Sequence, residues 1–353
     1  MTDAREPEVL FERRGRLGHI ILNRPRAINA LTGGMVVSIQ QKLDEWAVDA
    51  AVDTVLLTGS GERGLCAGGD IVTLYNDAKS GNSEISSRFW SDEYRLNACI
   101  ANYPKPYVAI MDGIVLGGGI GLSAHGSHRV VTERSKIGMP ETGIGFFPDV
   151  GGTWLLSHAP GELGTRLALT AGAVDGSDAI AVGLADSFVA SEHLPALVLS
   201  LETTEASTAI AAVAQEPPAS TLLARKERID EAYSAGTVAE IVDLLGDDDD
   251  AAVIRSKSPT ALCVTLEALR RARQLPSLEQ VLSQEFRMAT RAVHSHDFAE
   301  GVRAQVIDKD RTPKWLPPTL ADVRAEDVAA FFEPIADELH FTPLTSTQGE
   351  GQR

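Results

Sequence analysis

The sequence predicts an α/β fold in its first half and an all-helical region after about residue 204. Three observations carry this. Short β-branched and aliphatic runs alternate with segments of helical periodicity up to residue 204, and glycines concentrate between those runs. Beyond it, the chain is rich in Ala, Leu, Glu and Arg with few β-branched runs.

Each element has its own justification. Residues 19–22, 54–58, 107–111 and 129–132 are predicted to be buried strands. Residues 32–47 place Val36, Ile39, Leu43 and Trp46 near helical spacing, and Thr32 supplies a side-chain oxygen to cap the start. Helices are expected over 222–235, 238–245, 260–273 and 278–294. The run Asp247 to Asp250 reads as a solvated loop, since four adjacent carboxylates repel and lack a spaced ligand pattern. Domain boundaries are expected at 1–204 for the α/β core and 205–340 for the helical region, with a frayed tail over 341–353.

Composition narrows the function. With 353 residues, 44% hydrophobic and 23% charged, the chain is no disordered protein. Lys and Arg total 32 against 49 Asp and Glu, so the formal charge is 32 − 49 = −17, the wrong sign for coating a nucleic acid. No apolar run approaches the roughly 20 residues that cross a bilayer, so neither nucleic acid nor membrane is an expected partner. Cys66, Cys99 and Cys263 form no CxxC and no even framework, which suits a reducing compartment. The acidic N-terminus lacks the marks of a secretory or transit segment, so the cytoplasm is the expected location.

The chemistry is expected in two glycine turns, Leu65-Cys-Ala-Gly-Gly-Asp-Ile71 and Asp112-Gly-Ile-Val-Leu-Gly-Gly-Gly-Ile-Gly-Leu122. Each leads from a strand into a helix, where amide N–H groups lie unpaired and no Cβ obstructs a ligand oxygen. Two such amides converging make an oxyanion hole. Neither turn reads as GxxxxGK[ST] or a full GxGxxG, which disfavours a phosphate cradle. Glu141 follows a proline and precedes Thr-Gly-Ile-Gly-Phe-Phe, an apolar setting that raises a carboxyl pKa and demands a partner or a task. Asp70 is expected to cap the helix after it, and Asp149 either caps a helix starting near Gly151 or takes part in chemistry. Glu93, among Asp92 and Arg95, reads as an exposed ion-pairing carboxylate. His125 with His128, and His294 with His296, read as structural, and Cys66 as a buried small residue.

In this order, the two turns and Met139-Pro-Glu-Thr-Gly-Ile-Gly-Phe-Phe-Pro-Asp-Val-Gly-Gly152 resemble the crotonase, or enoyl-CoA hydratase/isomerase, superfamily. The likeness extends upstream to Leu22-Asn-Arg-Pro-Arg-Ala-Ile-Asn-Ala-Leu31. It implies a spiral of ββα units with a C-terminal helical extension, and an acyl-CoA thioester whose oxygen is held by the Gly69 and Gly118 amides. Glu141 matches the catalytic carboxylate. Hydratases carry a second glutamate three residues after the oxyanion glycine, where this chain has Gly121; hydration needs two carboxylates about one water and is disfavoured.

Within the superfamily the chain is similar to the 3-hydroxyisobutyryl-CoA hydrolases. Asp149 lies eight positions after Glu141, and the match continues through Ser258-Pro-Thr260, His296-Asp-Phe-Ala-Glu-Gly-Val-Arg303 and Ile307-Asp-Lys-Asp-Arg-Thr-Pro-Lys-Trp315. This likeness implies thioester hydrolysis in valine breakdown, catalysis by Glu141 and Asp149, and substrate contact by Glu93. It implies no metal or other cofactor, coenzyme A being part of the substrate. Arg24, Arg26 and Lys105 are candidates for its phosphates. The alternatives are an isomerase or hydratase of the same superfamily, or a non-catalytic acyl-CoA-binding protein. The helical extension either covers its own core or leaves the chain to form homo-oligomers, as the superfamily often does.

Overall fold

The computed structural model describes residues 6–81 and 83–341. The expected tail, apart from Phe341, lies outside the described residues. Among the described residues ten strands form two sheets. The larger sheet has the order β1-β2-β3-β5-β7-β10, comprising β1 (Val9–Arg14), β2 (Leu17–Leu22), β3 (Thr54–Gly59), β5 (Tyr107–Met111), β7 (His128–Val131) and β10 (Ser187–Phe188). The smaller has the order β4-β6-β8-β9, comprising β4 (Gly64–Cys66), β6 (Ile114–Leu116), β8 (Lys136–Gly138) and β9 (Ala173–Val174). Only β1–β2 and β8–β9 are antiparallel. Successive pairs β3–β4, β5–β6 and β7–β8 each give one strand to each sheet, which generates the spiral of ββα turns that the resemblance implies.

The four expected strands are present, with ends moved by two residues at most. Strands β4, β6, β8 and β9 have no counterpart among the expected elements, because three residues or fewer carry no readable period. They position the site. Strand β6 lies between β4 and β8 and is parallel to both, so the segments leaving the three C-terminal ends emerge side by side. Those segments contain Gly68-Gly69, Gly117-Gly118 and Glu141.

Helix α1 (Gly33–Val48) buries Met35, Val36, Ile39, Leu43 and Trp46, each contributing about 1.5–3 kcal/mol. Thr32 Oγ1 accepts from the Met35 amide at 3.2 Å, the expected cap. Helices α2 (Ile71–Ser80), α3 (Glu84–Ala101), α4 (Gly118–Ser123) and α5 (Gly152–Ser157) surround the glycine turns.

From Ala206 onward every regular element among the described residues is a helix. The expected helix over 222–235 is instead two, Thr221–Ala224 and Lys226–Tyr233. The first is tethered to buried Asp178, which accepts from Ser220 Oγ, Thr221 Oγ1 and the Leu222 amide. The acidic run is also not simply a solvated loop. Asp248 caps the helix Asp249–Arg255, and Asp250 is buried, accepting twice from Arg166 and once from Tyr233 Oη. A full positive charge and a phenol hydroxyl together offset the desolvation of that carboxylate. The helices Pro259–Ala272 and Leu278–Ala292 pack on α5 and α3, so the second half of the chain closes over the first. Among the described residues no helix is long and apolar enough to cross a membrane.

Candidate active site

The two glycine turns meet. A Cβ on Gly118 would stand 3.3 Å from the Gly69 nitrogen and 2.6 Å from Glu93 Oε1. A Cβ on Gly117, whose φ of +49° already favours glycine, would stand 2.8 Å from Glu141 Oε1. Bare glycine therefore lets two main chains and two carboxyls share one small space. The backbone at Leu31 takes the outer edge of the first turn: its N–H donates to Gly68 O, and its carbonyl accepts from Asp70. Alternation along that edge turns the Gly69 N–H away from Leu31. Neither the Gly69 nor the Gly118 amide donates to an acceptor among the described residues.

Glu141 opens a 3-10 turn, Glu141–Ile144, delivered by β8 through Met139 and Pro140. The turn is gripped from the C-terminal half. A Cβ on Gly301 would overlap the Ile144 carbonyl at 2.4 Å, and one on Gly145 the Asp297 carbonyl at 2.2 Å. Buried Asp297 in turn accepts from Ser258 Oγ and the Leu316 amide. The motifs Ser258-Pro-Thr260 and His296–Val302 thus form the support under Glu141 rather than part of the reacting centre.

Four carboxyls, Glu93, Glu141, Asp149 and Glu285, are buried and interact with one another. Burial pushes Glu141 well above the ordinary carboxylate range, and the Asp149 charge pushes it further. Glu93 rises for the same two reasons. Asp149 is pushed up to about 7 by burial, against the hydrogen bond from Tyr94 Oη at 2.8 Å that favours its ionised form. Glu93 Oε1 and Glu141 Oε2 are buried without a hydrogen-bond partner among the described residues. Such atoms cost free energy unless a ligand or water meets them.

Several expectations about single residues are corrected. Glu93 is no exposed ion-pairing carboxylate; it is 2% exposed, on the face of α3 that also buries Phe89, Trp90, Tyr94 and Asn97. Asp70 makes no side-chain cap, because the Arg24 guanidinium takes its Oδ2 at 3.1 Å in a stronger, charge-assisted bond. Asp149 does not cap α5 with its side chain either. Glu285 does so, accepting from the amides of Gly151 at 2.7 Å and Thr153 at 3.0 Å. Glu285 escaped the sequence reading, although it occupies the apolar stripe Leu278, Val281, Leu282, Phe286, Ala289, Ala292. A carboxylate in such a stripe was the available signal, as it was for Glu93.

The remaining candidates lie outside this cluster. Arg24 is committed to Asp70, to the Ala30 carbonyl and to Glu8, and Arg26 is exposed beside it. Lys105 Nζ donates to the Trp46 and Asp49 carbonyls at the C-terminal end of α1. Cys66 is fully buried, its thiol pushed up to about 12. His125 and His128 do not converge: the first bonds the Val150 carbonyl, the second Ser127 and Ser207. His294 meets Ser83, and His296 meets Asp297.

A cleft of about 520 Å³ adjoins the glycine turns, lined by Leu31, Val37, Asp70, Leu74, Arg88 and Phe89 among others. The Phe89 ring would stand 3.3 Å from a Cβ on Gly69, so cleft and turn are in contact. Gly121 is closed to any side chain, since a Cβ there would meet Val150 Cβ at 2.7 Å and Asn97 Nδ2 at 2.8 Å. A glutamate at this position has no room.

The sequence profile described as enoyl-CoA hydratase/isomerase matches residues 17–332. The chain is 42% identical to a zebrafish (Danio rerio) protein named 3-hydroxyisobutyryl-CoA hydrolase, mitochondrial, over 95% of this chain and 92% of that one. It is 39% identical to the human protein of the same name, over 95% and 90%. Among solved structures, one described as a carnitinyl-CoA dehydratase from Mycobacterium thermoresistibile superposes with a TM-score of 0.93 at 50% identity, covering 96% of this chain and all of that one.

Proposed function

The chain belongs to the enoyl-CoA hydratase/isomerase, or crotonase, family of acyl-CoA enzymes, and on that premise we propose that it hydrolyses a short 3-hydroxyacyl-CoA thioester, 3-hydroxyisobutyryl-CoA being the substrate. The observation that carries this reading is the meeting of the Gly69 and Gly118 turns beside Glu141, with two unpaired amides and a buried carboxyl on one small space. Relatives named as 3-hydroxyisobutyryl-CoA hydrolases, at about 40% identity, support the choice of substrate.

In this mechanism the Gly69 and Gly118 N–H groups hold the thioester oxygen as it gains negative charge, each such donor being worth about 2.7–4 kcal/mol. Glu141 either attacks the carbonyl carbon, giving a mixed anhydride that water opens, or takes a proton from an attacking water. A carbon–oxygen bond forms, the carbon–sulfur bond breaks, and the thiolate leaves with a proton. Asp149 and Glu93 hold the substrate hydroxyl and carry that proton. Arg26, exposed, is the proposed contact for a CoA phosphate. Residues 1–204 form the acyl-CoA-binding core in this reading, and 205–340 complete its site.

Thiol release from 3-hydroxyisobutyryl-CoA, followed with a thiol reagent, tests the reaction. Absorbance loss with crotonyl-CoA and no thiol release would overturn it in favour of hydration, the activity suggested by the dehydratase description of the 50%-identical structure. Steric closure at Gly121 argues against that second reading. Repeated turnover in heavy-oxygen water tests the covalent route: label on Glu141 arises when water opens the anhydride at the glutamyl carbon, and direct attack by water never puts it there.

A further inference from the structure

The segment holding Asp149 is folded against its own preference. Val150 has φ +53° and Gly151 φ +77°. A β-branched residue in the left-handed region is strained by roughly 1–3 kcal/mol, and surrounding contacts must hold it there. Two residues from different parts of the chain do so. Glu285, fully buried on Leu278–Ala292, accepts from the amides of Gly151 and Thr153 and from Thr153 Oγ1. His125, just past α4, bonds the Val150 carbonyl through Nε2 at 2.8 Å. A carbonyl only accepts, so this nitrogen carries the proton. Burial pushes the His125 pKa down to about 4, which leaves the ring neutral. The space is tight as well: a Cβ on Gly151 would stand 2.6 Å from His125 Nε2 and 2.8 Å from Leu278 Cδ1.

We infer that Glu285 and His125 are positioning residues that clamp the Val150-Gly151 turn and thereby fix the Asp149 carboxyl against the reacting thioester. His125 is reached from the Gly118 turn through α4, and Glu285 from the helical half, so the clamp ties both to the Asp149 position. Its catalytic consequence rests on the hydrolysis proposed above; its structural one does not.

Three variants test the clamp. E285Q keeps volume but offers one accepting oxygen where two main-chain N–H groups need one each. H125F keeps the ring and removes the donor. H125Q restores a nitrogen donor at similar reach. Amide exchange by mass spectrometry should accelerate over 148–153 in E285Q and H125F, and stay near wild type in H125Q. In the thioesterase assay kcat should fall about 10–100-fold for E285Q and H125F with KM within about threefold, and H125Q should recover most of it. Wild-type exchange over 148–153 in both E285Q and H125F overturns the clamp. So does equal loss in H125F and H125Q. Should E285Q fail to fold, the His125 pair carries the same test. A wild-type chain that releases no thiol from any short acyl-CoA refutes the proposed hydrolysis, and the exchange measurement then decides the clamp by itself.

Discussion

Tyr94 Oη donates to Asp149 Oδ2 at 2.8 Å, a buried bond between residues 55 apart in sequence. It supplies only part of what an ionised Asp149 needs, because burial still pushes that carboxyl up to about 7. The folded chain therefore retains a proton on Asp149 that the unfolded chain has lost, from about pH 4 up to about pH 7. Stability drains away across that window as pH rises. An asparagine side chain does not titrate, so the melting temperature of Asp149→Asn relative to wild type should climb steadily from about pH 4 to about pH 7 and level off above it. Melting curves across this range check it; a constant offset would reject it.

The same charge acts on catalysis. Glu141 is raised first by burial and next by Asp149. The acid limb of kcat/KM for thiol release should lie well above the roughly 4.3 of an ordinary glutamate, as a property of the whole carboxyl cluster. In Asp149→Asn it should move to lower pH in whatever activity remains. A limb that stays in place removes Asp149 from the titrating group.

Glu141→Gln should fold normally, since the carboxyl is already held close to its neutral form, and should lose about 10²–10⁴-fold in kcat. Thiol-release kinetics alongside circular dichroism decide this. Wild-type turnover would take Glu141 out of the mechanism.

Gly121→Ala probes the wall behind the site. Its methyl group would press on Val150 and Asn97, so overpacking should cost about 1–3 kcal/mol. Urea unfolding should register the loss, and kcat should fall with it because Val150 adjoins Asp149. Unchanged stability would show that the wall yields.

Asp250→Ala leaves the Arg166 guanidinium and the Tyr233 hydroxyl without their shared acceptor. Stranding a largely buried cation costs about 3–5 kcal/mol. The denaturation midpoint should drop accordingly while KM for the thioester stays unchanged.

What the sequence made legible was local. The α1 period and its Thr32 cap, the Tyr107–Met111 strand and the Val238–Leu245 helix could be read directly, because each needs only its own residues. Glu141 and the glycine turns stood out for the same reason. Strands β4, β6 and β8 exist through their neighbours, and three residues without a period announce nothing. Glu285 was hidden by the habit of placing carboxylates in water, and Glu93 was named through the family resemblance alone, although both interrupt otherwise buried helix faces. Asp70 went to Arg24, a partner 46 residues away that helix-start preferences do not consider.

The distance along the chain between Gly151 and Glu285 is 134 residues. A ribosome adding about 5–20 residues per second takes on the order of ten seconds to cover it. During that interval the nascent first half has every proposed catalytic group but no cap for the strained turn, and the apolar surface awaiting Leu278–Ala292 stays uncovered. On the proposed clamp, competence therefore arrives late in synthesis, and a chain released before residue 285 should be inactive and, with that surface bare, prone to stick to its neighbours.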